Sequence, residues 1–399
     1  MSMAVGWSYA NVGAVAPDLA RDYGVSVGAI GFLTTVVLAV YTVMQLPTGR
    51  ALDRLGPRGV GAAGLVGIAL ANAVALAGDS FWLALAGRTL LGVGTPLAYL
   101  GGLELIRRLG GSAQLLGSFG AVNGGSIGLA LVVVPQLYPA LSWRAPYLTS
   151  ELLVAVALVA LVRRPGRAGV SAGRSELRQA ATTRLPPARV PTKVLLRDPE
   201  LRRLSVMNLC SAAFSPIVSS WVVALLVEAG GYSTAKAGAV GSISLLGLVC
   251  SRPVAGWIVH RHPAAIRAGI ALSAALGVGG CVALTAAGPV WLSVIGCALV
   301  GVATGIPWTY VFTRAPSVIP EASGSALAVV SGLPLLVAIA GVPLVGLTFA
   351  LPGDGRIGFA AVAALWCVLL FVLPARVARP GRPGPAAAER GAEPADVSS

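Results

Sequence analysis

In a chain that is 56% hydrophobic and only 11% charged, the residues able to do chemistry are the few charges and polar groups set within apolar runs. Arg88 is the sharpest of them. It stands about a third of the way along an apolar run, flanked by Leu85, Leu90 and Leu91. In hydrocarbon an ionised side chain costs about 3 kcal/mol or more unless it faces water, a counter-ion or a ligand. Two readings follow: Arg88 reaches into an aqueous cavity to meet an anion, or it holds neighbouring backbone carbonyls. A second constellation is Gly49-Arg50-Ala51-Leu52-Asp53-Arg54-Leu55-Gly56-Pro57-Arg58, lying between the apolar runs Ala29–Leu46 and Gly59–Ala77. Asp53 falls at the carbonyl end of the preceding helix, where the helix dipole disfavours an anion. It needs Arg54, Arg58 or the positive N-terminus of another helix on the same membrane face, which is the outline of a latch. Catalytic groupings are lacking. The only histidines, His260 and His262, share one loop, and the five cysteines (Cys210, Cys250, Cys281, Cys297, Cys367) lie in apolar runs without metal-like or paired spacing. No acid pair, nucleophile–base set or Gly-x4-Gly-Lys-Ser/Thr nucleotide loop is present. The reading is therefore not an enzyme, with no cofactor and no metal, and any energy comes from ion or solute gradients.

The elements that must position these residues are membrane helices. Mean hydropathy is +0.82 over 399 residues, so the bilayer is the solvent. Twelve apolar spans can be drawn, at roughly 1–16, 27–49, 58–78, 81–106, 113–137, 144–162, 204–228, 236–259, 264–287, 289–313, 321–349 and 355–375. The first is short for a crossing helix, so either the chain starts upstream or this helix tilts and thins the bilayer locally. It lacks a preceding basic region and further spans follow, which argues against a cleavable leader. Asp198-Pro199-Glu200 carries a cap, a proline and an acid for one helix start, and Ser26 and Ser233 are candidate caps for two others. Net charge is +14, yet its distribution argues for membrane topology rather than nucleic acid. Arg21, Arg144, Lys236 and Arg356 fall on one side and Arg88 within a span. The rest of the 29 Lys and Arg fall on the other side, which by the positive-inside rule is the cytoplasm, with both termini. Residues 163–203, rich in Arg, Pro, Gly and Ser, read as a basic cytoplasmic linker, with a short surface helix near Thr192–Arg197. Residues 376–399 read as a disordered cytoplasmic tail. The domains are then 1–162 and 204–375, and they echo each other. Gly49-x3-Asp53-Arg54 returns as Gly256-x3-His260-Arg261. Gly87-Arg88-x3-Gly92-Val93-Gly94-Thr95 returns as Gly296-Cys297-x3-Gly301-Val302-Ala303-Thr304, and Gly117-Ser118 as Gly324-Ser325. The crowded glycines Gly101, Gly102, Gly120, Gly124, Gly125 and Gly128 predict close helix–helix approach. Glu151, in the sixth span, must be protonated, paired inward, or near the outer surface with Arg144.

The loop resembles the signature between helices 2 and 3 of the major facilitator superfamily, Gly-x-x-x-Asp-Arg-x-Gly-x-Arg/Lys, through Gly49, Asp53, Arg54, Gly56 and Arg58. Gly59 departs from it where many members carry a second basic residue. Arg88-x3-Gly92-x-Gly94 resembles the family's helix-4 motif, whose arginine is implicated in proton coupling among antiporters. The resemblance implies an all-α membrane protein of twelve transmembrane helices in two pseudo-symmetric six-helix bundles, with substrate bound between them near the midplane. It implies that spans 1, 4, 7 and 10 line the cavity, which makes Arg88, Asn11, Thr95, Tyr99, Asn208, Trp221, Trp308 and Tyr310 candidates for substrate or coupling, with Ser215 and Thr304 beside them. Tyr41, Gln45, Asn123 and Ser126 are secondary candidates. The mate of Arg88 is Cys297, so the cavity should be electrostatically lopsided. No carboxylate lies at mid-membrane in those four spans, which favours an anionic or polar neutral solute over a cation. The expected function is secondary active transport of a small anion or organic acid across the plasma (inner) membrane, by a monomer in contact with lipid. A proton-coupled drug efflux antiporter is the alternative, with the proton as coupling ion. A transporter-like receptor is a third reading.

Overall fold

The computed structural model describes residues 1–163, 190–286 and 288–374, and all the secondary structure among them is helical. Most of the linker expected over 163–203, and all of the tail expected over 376–399, lie outside the described residues. Among the described residues, nine stretches are long and apolar enough to cross a membrane. One of them, Ala113–Arg163, folds as two helices, α6 (Ala113–Leu141) and α7 (Ala145–Arg163), because Ser142 turns the chain at φ +51. A further apolar stretch, Arg356–Phe371, holds α16 (Arg356–Trp366) and α17 (Val368–Phe371). The architecture is consistent with the twelve expected spans.

The first crossing is longer than its sequence suggests. It runs as α1 (Ser2–Ala10), a 3-10 turn at Gly13–Val15 and α2 (Ala16–Asp22). Pro17 sits in the first turn of α2, where its fixed φ restarts the helix at no hydrogen-bond cost. At about 1.5 Å per residue this path reaches roughly 30 Å, a full bilayer. Next come α3 (Val27–Leu55), α4 (Pro57–Leu76) and α5 (Phe81–Arg108). The single-residue connection between α3 and α4, Gly56, is dictated locally. Gly56 adopts φ +79 and donates its N–H to Leu52 O, and Pro57 opens the next helix.

The second half begins with α8 (Thr192–Arg197), the short helix read from the linker, and α9 (Pro199–Leu209). A π-helical turn, Cys210–Phe214, joins α9 to α10 (Ser215–Glu228). Then follow α11 (Thr234–Arg261), α12 (Ile266–Ala286), α13 (Val290–Ala303), α14 (Gly305–Val318) and α15 (Ser323–Leu347). The three expected caps are present. Ser26 Oγ accepts from Ala29 N, Asp198 Oδ1 from Leu201 N, and Ser233 Oγ from Lys236 N.

Two seams hold the halves together, built from the glycines that recur in the sequence. A Cβ added at Gly49 of α3 would lie 2.6 Å from Ala328 Cβ and 2.7 Å from Gly324 O, both on α15. On the other seam a Cβ at Gly117 of α6 would lie 2.2 Å from Arg252 O of α11, and one at Gly256 of α11 2.4 Å from Gln114 Cα of α6. Only glycine permits these approaches. Both seams lie toward the end of the bundle that carries the Asp53 loop, and that end is closed.

Candidate substrate cavity and latch

Above the seams the two halves line a central cavity of about 230 Å³. The first half contributes Tyr9, Tyr41, Thr95, Tyr99 and Asn123, and the second contributes Asn208, Ser211, Arg252, Trp308, Phe312 and Ser331. The π-helical turn has a local sequence cost, since its wider ring gives up the regular hydrogen-bond ladder, and such turns gather at functional sites. Here it places Ser211 and Ala212 in the cavity wall. Trp308 fits because Gly120 has no side chain: a Cβ there would lie 2.6 Å from the indole ring.

Arg252 dominates the site. The residue is 6% exposed. Nη1 donates to Gly120 O at 2.7 Å and Nη2 to Ser211 Oγ at 2.9 Å, while the guanidinium lies 4.5 Å from the Trp308 ring centroid. Among the described residues no carboxylate pairs with it, and none lines the cavity. A buried cation compensated only by an aromatic face and two neutral acceptors attracts an anion. Sequence reading missed Arg252 by counting it with the basic loop residues, although it lies inside the eighth apolar span. A signal was present. Arg252 precedes Gly256 by four residues as Gln45 precedes Gly49, so it is the repeat mate of an intramembrane polar residue. Tyr9, Ser211 and Phe312 were also missed, because one tyrosine, serine or phenylalanine in an apolar run carries no mark of the face it occupies.

Arg88 does not line the cavity. It is 2% exposed and donates through Nη1 to Ser8 O at 2.6 Å and Asn11 Oδ1 at 3.3 Å, and through Nη2 to Tyr9 O at 3.2 Å. Ser8 and Tyr9 close the last turn of α1, whose final carbonyls have no helical partner because the chain breaks at Asn11. A cation is the favourable cap for that end. The second of the two readings, an arginine holding backbone carbonyls, describes this geometry. Replacing it by glutamine removes charge-assisted bonds worth about 2 kcal/mol and leaves buried carbonyls bare. Arg88→Gln should therefore lower the melting temperature of the detergent-purified protein and leave solute affinity near normal. Wild-type stability with lost affinity would contradict the capping role.

The remaining expected residues divide. Thr95, Tyr99, Asn208 and Trp308 come together in the cavity, with Tyr41 and Asn123. Asn11, Trp221 and Tyr310 do not line it. Asn11 Nδ2 donates to Pro146 O at 2.5 Å and Trp221 Nε1 to Val342 O at 2.7 Å, while Tyr310 packs on the apolar core. Gln45 is buried in the α3–α15 seam, and Ser126 donates to Asn123 O. Glu151 is paired inward, accepting from Asn72 Nδ2 at 3.2 Å.

At the closed end Asp53 engages α15. Its Oδ1 accepts from Gly324 N at 2.7 Å and its Oδ2 from Ser325 N at 3.1 Å and from the Ser325 hydroxyl. These N–H groups belong to the first turn of α15, where donors are free and the dipole is positive. So of the three possible partners for Asp53, a helix N-terminus is the one used. Gly49, which lets α15 approach, and Gly56, which turns the chain, act on the same contact. Arg58 serves elsewhere, donating to Leu161 O at 3.0 Å, and Arg54 makes no side-chain hydrogen bond or ion pair among the described residues. Glu104 adds a second tie across the halves. It is fully buried, ion-paired to Arg107 and Arg108, and accepts from Ser323 Oγ at 2.9 Å.

The sequence model of the Major Facilitator Superfamily matches residues 1–342. A search among curated protein sequences finds no match. Among solved structures the chain is similar to the human organic anion transporter MFSD10 (TETRAN), with a TM-score of 0.64 and 19% identity, covering 93% of this chain and 98% of that one. It is also similar to the Major Facilitator Superfamily transporter FucP in its outward conformation, with a TM-score of 0.70 and 15% identity, covering 93% of this chain and 96% of that one. At these identities the structures establish the shared fold, and the match of the sequence model over most of the chain carries the assignment: this multi-pass membrane protein belongs to the Major Facilitator Superfamily.

Proposed function

We propose that the chain is a secondary active transporter that moves a small anionic solute across the plasma membrane by alternating access, rather than an enzyme. Two halves, 1–162 and 204–375, rock about the central cavity, with 163–203 as their cytoplasmic connection. The observation that carries the reading is Arg252, a buried cation facing the cavity without an anionic partner among the described residues. The solute's negative charge completes the site. The fold similarity to an organic anion transporter agrees with this. The seams held by Asp53 and Glu104 lie on the cytoplasmic side in this reading, so the structure corresponds to a state closed to the cytoplasm. A cavity lining without a carboxylate among the described residues disfavours exchange of a cationic drug for a proton, since no acidic group among them would alternate between the two. The protein works as a monomer in lipid, and the proton remains the candidate coupling ion.

Reconstitution in proteoliposomes tests the reading. Uptake of a panel of radiolabelled organic anions should be saturable for at least one member and inhibited by unlabelled anion but not by its neutral amide. An imposed pH gradient should accelerate it if the proton is coupled. Saturable uptake confined to organic cations would overturn the anionic reading.

A further inference from the structure

Resting on the reading of the cavity as an anion site, we propose that its solute is a single-ring aromatic monocarboxylate that also carries a hydrogen-bond donor. The charge follows from count and position. Among the described residues Arg252 is the one basic residue lining the cavity, and two of its five N–H groups are used by Gly120 O and Ser211 Oγ. A carboxylate can take two of the rest side by side. A dianion would bring a second charge into a wall with no further cation, and an amino acid would bring an ammonium into a wall with no carboxylate. Each strands a desolvated charge.

The body of the solute follows from the walls. Tyr9, Tyr41, Tyr99, Trp308 and Phe312 all line the cavity, with Trp308 and Phe312 tilted against each other at a centroid distance of 4.7 Å. Aromatic side chains lining a cavity receive a ring through offset and edge contacts. The volume of about 230 Å³ is below the roughly 300–1,000 Å³ of sites for drug-sized ligands, which suits one ring rather than two.

The donor follows from Asn208. Its Nδ2 donates to Val330 O at 2.9 Å, which leaves Oδ1 as the acceptor, and that atom is buried with no partner. It sits three residues, about one helical turn, before Ser211, the residue that holds Arg252. A hydroxyl or N–H on the ring would satisfy an acceptor otherwise left bare.

Binding to the purified full chain, followed by thermal shift and tryptophan fluorescence, tests this with 4-hydroxybenzoate, benzoate, 4-hydroxybenzamide, terephthalate, L-phenylalanine and lactate. 4-Hydroxybenzoate should bind about tenfold more tightly than benzoate, the scale of one satisfied hydrogen bond. Terephthalate, L-phenylalanine and lactate should each bind at least about tenfold more weakly than benzoate. In Asn208→Ser the ratio of 4-hydroxybenzoate to benzoate should fall toward one; if that variant does not fold, the wild-type ratio decides. Equal binding of 4-hydroxybenzoate and benzoate would overturn the donor, and equal binding of terephthalate or L-phenylalanine and benzoate would overturn the single charge. Lactate bound as tightly as benzoate, with both lost in Arg252→Gln, would overturn the aromatic monocarboxylate and leave the anion site standing. Binding of 4-hydroxybenzamide as tight as that of 4-hydroxybenzoate, unchanged in Arg252→Gln, would overturn both, as would absence of binding by every anion.

Discussion

Arg252→Gln should lower the affinity for an anionic solute about 30-fold or more while the protein still folds and reaches the membrane. Removing one partner of a buried, hydrogen-bonded charge pair costs about 2–5 kcal/mol, and 1.4 kcal/mol is a factor of ten in affinity. Stability in the absence of solute should change little. Arg252 is 6% exposed with two neutral acceptors and an indole ring as its partners, so deleting its charge also removes a desolvation cost that those contacts only partly offset. Melting curves with and without solute separate the two effects. Wild type should gain thermal stability on adding solute, by mass action, and Arg252→Gln should gain none at the same concentration. Arg252→Lys keeps the charge but loses the planar fork and should fall between them. A variant that melts much earlier without solute, yet retains the solute-induced shift, would make Arg252 a structural residue. The opposite pattern is expected for Arg88→Gln, so the pair of arginines is an internal control.

Asp53→Asn should shift the equilibrium toward the state open at the Asp53 end by roughly five- to 150-fold, a coupling of about 1–3 kcal/mol. The carboxylate caps the first turn of α15 through Gly324 N and Ser325 N. Asparagine keeps one acceptor oxygen and loses the charge that the helix N-terminus favours. Folding should be nearly intact, because the contact joins the halves rather than building either one. The readout is alkylation of a single cysteine at Ala328 in a background free of the five native cysteines. Ala328 is fully buried against Gly49, so its labelling reports parting of the α3–α15 seam. Labelling should accelerate in Asp53→Asn, and an unchanged rate would remove the latch. Glu104, tied to Ser323, keeps the end partly closed, and Glu104→Gln combined with Asp53→Asn should open it further.

The second seam lacks such a latch. Gly256 of α11 approaches Gln114 of α6 as Gly49 approaches α15, yet the residue in the place of Asp53 is His260, which is exposed and makes no side-chain hydrogen bond among the described residues. The repeat reproduces packing in both halves and charge in only one.

The amino-acid sequence by itself determined the membrane class, the apolar stretches, the caps and the need of Asp53 for a partner, because each depends on local or one-dimensional physics. Hydrocarbon thickness sets span length, and Ser26, Asp198 and Ser233 cap helices whose starts are a few residues away. Asp53 demands a partner because it stands at the wrong end of its own helix. What only the tertiary structure decided is which face each intramembrane polar residue presents. Arg88 and Arg252 are both single charges in apolar runs, and nothing in spacing distinguishes them. The break of α1 at Asn11 leaves bare carbonyls that draw Arg88 away from the cavity. The crossing of α6 and α11 at Gly117 and Gly120 brings Arg252 to Trp308 and into it. Facing is set by helix rotation, and rotation by packing against neighbours distant in the chain, so the charge that defines this site became visible only when the helices were assembled.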